Sequence, residues 1–271
     1  MDKKIGFIGT GFMGSPMIKS IAESKVVSPE NIYIFDIDEE RLQKLKAETG
    51  ANFSKSASDI VEKADIIFLA VKPNMVKTVL NTCKEKFDAN KILVSIAAGI
   101  PIKSYKEIIG EDKKVIRAMP NQPVLVGEGM TLISYDSIVG KEEAKFILGL
   151  LSCMGKVEIL EEKYMSEVIA LTSSSPAYVF MLIEAMADAA VLSGIPRELA
   201  YKLASQAVLG SAKMVLETGK HPGELKDQVC SPAGTTIEAV TSLEKSGFRS
   251  SIIVAMNVCT EKARELGKIY G

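Results

Sequence analysis

The sequence predicts an α/β protein, a doubly wound, mostly parallel sheet followed by an all-α domain. Two observations carry this prediction. Short apolar runs alternate with helix-like segments through the first part of the chain, and no strand-like run follows about Glu161. Uninterrupted apolar strands separated by helices indicate a parallel sheet covered on both faces. The expected division is a dinucleotide-binding domain at residues 1–160 and a helical domain at 161–271.

The strand-like runs are Ile5–Ile8 (stopped by Gly9), Asn31–Phe35, Ile66–Val71 (stopped by Pro73), Ile92–Ala97 (stopped by Gly99), Val115–Met119 and Gly129–Ser134. Helices are expected over 14–24 and 38–48 in the first part. In the second part the expected helices are 164–193, kinked or broken by Pro176, then 197–218, 235–246 and 249–266, closed by Gly219, Gly247 and Gly267. The 164–193 segment is apolar around its whole circumference, so it must be buried on most sides. The helical part is too small to cover it, and a second subunit is expected to do so.

The 271 residues are 47% hydrophobic and 25% charged, an ordinary globular balance that needs no disulfide or metal staple. A net charge of −1 with no block of one sign argues against nucleic-acid and anionic-membrane partners. A small anionic substrate needs only a local site. Cys83, Cys153, Cys230 and Cys259 form no C-x-x-C pair, which points to reduced thiols, no metal and a cytoplasmic protein. No signal peptide is read at the start, and no apolar stretch is read as an uninterrupted membrane helix of about 18–20 residues. The single histidine, His221, precedes Pro222 and reads as a loop residue, against Ser-His-Asp chemistry and a histidine zinc site.

Gly9-Thr10-Gly11-Phe12-Met13-Gly14 is G-x-G-x-x-G between a strand and a helix, the context that gives the motif meaning. Gly9 allows the tight turn, Gly11 admits a pyrophosphate, and Gly14 lets the helix pack on the strand. The free N–H groups of the helix start favour phosphate. The first domain is therefore read as a Rossmann domain binding NADH or NADPH. Asp36 ends the second strand, where a carboxylate accepts hydrogen bonds from the adenosine ribose and repels a 2′-phosphate, which favours NADH. The other reading of Asp36 is a helix cap, and Arg41 is the one nearby cation able to swing in. Ala70-Val71-Lys72-Pro73 ends the third apolar run, at the end of a parallel sheet where ligands bind; Lys72 either lines the groove or is solvated. Ala97-Ala98-Gly99 leaves room for a flat ring, and Asn121, in a loop bounded by Pro120 and Pro123, offers an amide to the nicotinamide or its ribose.

The second informative stretch is Cys230 to Glu238. Thr235-x-x-Glu238 fits a capping box and predicts a helix start at Thr235. Ala233-Gly234 brings bare backbone to that start, an anion site suited to a substrate carboxylate. Ser231 adds a donor, and the Thr236 hydroxyl is left for a second polar group of the ligand. Glu184 and Asp188 share one helix face and read as polar contacts across a helix interface or as a catalytic pair.

The motifs together resemble pyrroline-5-carboxylate reductases over essentially the full chain. They include Phe7-Ile8-Gly9-Thr10-Gly11-Phe12-Met13-Gly14, Ala70-Val71-Lys72-Pro73, Arg117-Ala118-Met119-Pro120-Asn121, Pro176-Ala177-Tyr178-Val179-Phe180, Gly194-Ile195-Pro196-Arg197 and Ser231-Pro232-Ala233-Gly234-Thr235-Thr236. The resemblance implies reduction of 1-pyrroline-5-carboxylate to proline and a homodimer joined through the helical domain, often assembled further. It also implies a substrate carboxylate held by Ser231 and the backbone at Gly234-Thr235-Thr236, with the Thr236 hydroxyl on the ring nitrogen. Ser173-Ser174-Ser175 stands where the resembling family has Gly-Ser-Gly, and Ala233 where it has glycine. A serine needing positive φ would be strained, and the Ala233 methyl would crowd the ligand. The alternatives are a reductase of another cyclic imino acid, a β-hydroxyacid dehydrogenase, disfavoured because residues 166–193 carry no lysine base, and a non-catalytic dinucleotide-binding regulator.

Overall fold

Successive residues of a strand point to opposite faces, so an apolar run buried on both sides feeds two cores at once. The computed structural model, which describes residues 3–270, shows this in each central strand. The elements are β1 (Ile5–Ile8), α1 (Gly14–Ser24), β2 (Ile32–Phe35), α2 (Glu39–Thr49), β3 (Asn52–Phe53), α3 (Ala57–Lys63), β4 (Ile66–Leu69), α4 (Val76–Asn81), β5 (Ile92–Ser95), α5 (Ile102–Ile109), β6 (Lys114–Pro120), β7 (Gly129–Tyr135), α6 (Lys141–Leu151), β8 (Gly155–Ile159), α7 (Ser175–Leu192), α8 (Arg197–Thr218), α9 (Pro222–Val229), α10 (Thr235–Lys245) and α11 (Phe248–Tyr270). The backbone forms two compact units, one of residues 3–173 with 259–270, the other of 174–258.

The first unit holds one sheet of order β3-β2-β1-β4-β5-β6-β7-β8. All neighbours pair parallel except β6 and β7, which are antiparallel. Ile5, Phe7, Ile66, Phe68, Ile92 and Val94 face α1, α2 and α6 in one core. Ile8, Ile67, Leu69 and Leu93 face α3, α4 and α5 in the other. The doubly wound expectation is met. Side-chain caps start two helices of this unit: Asp38 accepts from Arg41 N at 3.0 Å for α2, and Ser56 from Asp59 N at 3.1 Å for α3. The sequence reading gave no range for β3 and β8, which are short or lie at the sheet edge, nor for α3, α4, α5, α6 and the eight-residue α9.

The second unit is helical. Between residues 174 and 258 the buried side chains are Pro176, Ala187, Ala200 and Ala204. Phe180, Met181, Leu182, Leu192, Leu203, Leu209, Leu216, Ile253 and Val254 are exposed in the single chain. The expected break near Pro176 is seen, and three other expectations need correction. The 164–193 segment changes at Ser174 and α7 begins at Ser175, so Pro176 sits in the first turn, where its missing N–H is not needed. Preceded by a π-helical turn at Ile169–Ser173, α7 completes a helical run, Ile169–Leu192, which is long and apolar enough to cross a membrane by length and composition. The Ser173–Ser175 segment carries no positive φ, since Ser174 is right-handed at φ −96. Gly267 does not end α11, which runs on to Tyr270, with Gly267 packed near the Gly99 carbonyl.

The close seating of α3 on β1 depends on Gly6. A Cβ there would lie 2.4 Å from Ile60 Cγ2 and 3.0 Å from Ala64 Cβ. Ile60 is β-branched and fully buried, so neither neighbour yields freely. Gly6→Ala is expected to lower stability by about 1–3 kcal/mol through overpacking, measured by urea unfolding; an unchanged midpoint would refute the close packing.

Candidate functional site

The order β2-β1-β4 places a topological switch point between β1 and β4, the crevice in which open parallel sheets bind ligands. Gly9 is at φ +99, and a Cβ on it would meet the Ala70 carbonyl oxygen at 2.6 Å. A Cβ on Gly14 would lie 2.4 Å from Gly9 O and 3.3 Å from Ala70 Cβ. The loops after β1 and β4 thus touch through backbone, which only glycine permits at Gly9. Gly11 has no heavy atom within 4 Å of where its Cβ would be, which leaves open space above the loop. No side chain caps the first turn of α1, and Phe12 is 67% exposed. Lys72 is exposed, Ala97 is buried, and Ala70, Val71 and Pro73 are partly buried. All of these stand at carboxyl ends of parallel strands.

Asp36 is tied into this loop. Its Oδ2 accepts from Thr10 N at 2.6 Å and from the Thr10 hydroxyl at 2.9 Å, and its Oδ1 accepts from Asp38 N at 3.1 Å. Arg41 Nη1 lies 3.6 Å from Asp36 Oδ2, and Nη2 2.9 Å from Asp38. Burial alone would raise the carboxyl pKa, but the Thr10 and Asp38 amides, the Thr10 hydroxyl and Arg41 outweigh it and hold the group below its ordinary value. Asp38, not Asp36, caps α2. A cavity of about 670 Å³ opens beside Thr10, Gly11 and Phe12 and is rimmed by Lys19, Arg41 and Lys44. Lys19, paired with Glu48 at 2.7 Å, and Lys44 were missed in the sequence. The i,i+3 spacing of Arg41 and Lys44 on one helix was the available signal.

Asn121 is busier than its sequence position suggests. Its Nδ2 donates to Thr172 O at 2.9 Å, and its Oδ1 accepts from Met130 N at 2.8 Å. Its first role is to brace the loop after β6. One N–H and one lone pair remain.

In the second unit, Ala233 is at φ +57, one of two non-glycine residues in the left-handed region among the described residues. The strain expected at Ser173–Ser175 therefore falls at Ala233 instead. Gly234, not Thr235, is the N-cap of α10, and no side chain caps this helix. The predicted capping box is absent because Thr235 is already helical. A Cβ on Gly234 would lie 2.3 Å from Ser231 Oγ, which can rotate away, and 3.1 Å from the Ser231 carbonyl oxygen, so the turn is tight. The hydroxyls of Ser231, Thr235 and Thr236 have no hydrogen-bond partner among the described residues. His221 caps α9, its Nδ1 accepting from Gly223 N at 3.0 Å. Asp188 pairs with Arg197, which leaves Glu184 without it as a catalytic partner. No group of metal-ligating side chains occurs among the described residues.

Comparison with known proteins bears on this geometry. Residues 162–266 match the family model for pyrroline-5-carboxylate reductase dimerisation, and residues 4–99 match that for NADP oxidoreductase, coenzyme F420-dependent. The chain is 48% identical to the pyrroline-5-carboxylate reductase of Escherichia coli K12, over 99% of this chain and 100% of that one. It is 43% identical to the reductase of Methanosarcina acetivorans, over 98% and 99%. Among solved structures, it is similar to the Plasmodium falciparum pyrroline carboxylate reductase with NADP bound (TM-score 0.89, 33% identity, 98% of each chain). It is also similar to the pyrroline-5-carboxylate reductase of Coxiella burnetii (TM-score 0.91, 29% identity, 98% and 99%).

The lowered Asp36 pKa has a pH signature. Its contribution to stability is complete above the ordinary carboxylate value of about 4 and is lost as pH falls through the lower folded value. An Asp36→Asn variant is expected to be less stable than the parent at pH 7, with the gap closing below about pH 4. Urea unfolding across that range checks this; a pH-independent gap would remove the ionised carboxylate from the account.

Proposed function

The chain belongs to the pyrroline-5-carboxylate reductase family, and we propose that residues 1–160 bind its nicotinamide dinucleotide while residues 161–271 bind the imine substrate and pair with a second copy. Its reaction is the nicotinamide-dependent reduction of the C=N bond of 1-pyrroline-5-carboxylate to proline. The observation that carries the assignment of sites is that α1, which follows the Gly9–Gly11 loop and opens on Gly14, and α10, whose N-cap is Gly234, both begin without a side-chain cap. Such starts accept anions, a pyrophosphate at one and a carboxylate at the other. The end of β8 at Ile159 and the start of the dimerisation match at residue 162 support the boundary, while residues 161–173 and 259–270 pack in the compact unit of the sheet. The exposed apolar helices of residues 174–258 support a homodimer through this region, and an oligomer of dimers extends the same reading. Free thiols at all four cysteines fit a cytoplasmic setting.

The open space at Gly11 and the uncapped α1 fit a dinucleotide. When bound, the cofactor supplies the hydride. The backbone from Gly9 through Phe12, Met13 and Gly14 holds the pyrophosphate; Ala70, Val71, Lys72 and Pro73 line the crevice at β4. Ala97 makes room for the ring, and Asn121 contributes its remaining N–H. In the second unit, the amides of Gly234, Thr235 and Thr236 with the Ser231 hydroxyl receive the carboxylate, and Ala233 shapes the turn before them. The Thr236 hydroxyl meets the ring nitrogen. A protonated imine is already electrophilic, so the residues mainly supply orientation.

The choice between NADH and NADPH turns on Asp36 and Arg41. A free carboxylate at this position favours NADH. Here both Asp36 oxygens already accept hydrogen bonds, and the adjoining cavity is lined by Lys19, Arg41 and Lys44 against Glu23 and Glu48. This geometry weighs toward a 2′-phosphate and NADPH.

Oxidation of reduced nicotinamide on addition of 1-pyrroline-5-carboxylate tests the reaction. Thr236→Ala is expected to lower kcat about tenfold or more with cofactor affinity retained, as loss of a hydrogen bond to a charged group implies; unchanged kcat removes its role. Arg41→Ala is expected to raise KM for NADPH about tenfold and leave that for NADH within about twofold. Equal changes for both cofactors would return the preference to Asp36.

A further inference from the structure

A buried polar network lies under the Ala97–Gly99 turn. Ser95, at the end of β5, and Tyr105, on α5, are both fully buried, and their hydroxyls are 2.6 Å apart. Ser95 Oγ also accepts the Ala97 amide N–H at 3.3 Å. Burial pushes the Tyr105 phenol up to about 12, so it keeps its proton and is available as a donor to Ser95. The helix that carries Tyr105 is anchored at its start, where Glu162 Oε1 accepts Ile102 N–H at 2.7 Å. Glu162 lies in turn 3.6 Å from Nη1 of Arg117, a β6 residue only 5% exposed and in register with Ser95. A core built for packing alone has no use for the buried polar groups of Ser95, Tyr105 and Arg117, since polar groups are costly to bury and more so when poorly bonded. Their common geometric result is a fixed α5 start and a fixed Ala97 amide.

We propose that Tyr105 and Ser95 are positioning residues for hydride transfer: the Tyr105–Ser95–Ala97 hydrogen-bond chain sets the place of the turn on which the nicotinamide ring rests, with Glu162 and Arg117 holding α5 in register. The proposal rests on the reading that the Ala97-Ala98-Gly99 turn carries the nicotinamide end of the cofactor. Cofactor affinity comes largely from the pyrophosphate loop and the Asp36–Arg41 end, which this network does not touch. Hydride transfer depends on the ring's placement to within about 1 Å. A loosened turn therefore costs turnover and spares affinity.

Tyr105→Phe keeps the ring in the core and removes the hydroxyl. The expected result is a fall in kcat of about tenfold, with NADPH Kd by titration calorimetry within about twofold and a melting midpoint near the parent's. Ser95→Ala is expected to match it, and the double variant to lose no more than either single one, because both act through one chain of bonds. Should Tyr105→Phe not fold, Ser95→Ala carries the same test. An unchanged kcat in the folded variants, a loss of affinity with kcat retained, or losses that multiply in the double variant would overturn the proposal. Ala98→Phe, at an exposed position, separates it from its premise: this change is expected to block turnover while ADP-ribose, which lacks the ring, binds as before. Normal turnover in Ala98→Phe overturns both the premise and the proposal. Blocked turnover there with an unaffected Tyr105→Phe overturns the positioning role alone.

Discussion

The backbone contact between Gly9 and Ala70 is the constraint on which the cofactor crevice depends. A side chain at Gly9 would strike the Ala70 carbonyl, and one at Gly14 would strike Gly9 itself. With both absent, α1 starts close to the end of β1 and the loop after β4 closes against it. The parallel register of β1 with β2 and β4 then places Asp36 and the Ala70–Pro73 turn beside the same loop. Thr10 completes the arrangement by donating twice to Asp36. The carboxylate thus fastens two strand ends together as well as standing near a ligand.

How much of this could be read from the sequence depends on whether the cause was local. The runs that became β1, β4 and β5 were visible because burial on both faces leaves them almost wholly apolar, and β2, β6 and β7 because apolar residues still dominate them. β8 was missed because Lys156 and Glu158 are exposed and its apolar residues are too few to form a run. The Gly9–Gly14 loop was readable because glycine spacing reports backbone geometry directly. Asn121 was misjudged because its partners, Thr172 and Met130, are supplied by tertiary packing. The start of α10 at Thr235 was read correctly, but its cap was misassigned because Thr235-x-x-Glu238 satisfies the pattern while Gly234 takes the cap conformation. The Ser95–Tyr105–Arg117–Glu162 network drew no notice, since no local periodicity marks polar residues that meet only after the sheet forms.

Glycine and its absence tell opposite stories in the two units. At Gly9 the left-handed backbone is occupied by the residue that adopts it freely. At Ala233 it is occupied by one that does not, at a cost of about 1–2 kcal/mol. The turn is held by its flanks, with Gly234 N–H on Ser231 O at 3.1 Å and α10 following at once. The methyl is exposed at the mouth of the proposed carboxylate site.

The bare helices of residues 174–258 carry a thermodynamic consequence. A segment whose interior consists of one proline and three alanines gains little from its own packing. Its order must come from association, and association free energy varies with the logarithm of protein concentration. Dilution then acts on this segment as a denaturant does, lowering the melting temperature as subunits separate. The doubly wound sheet, with its two cores complete within one chain, has no such dependence.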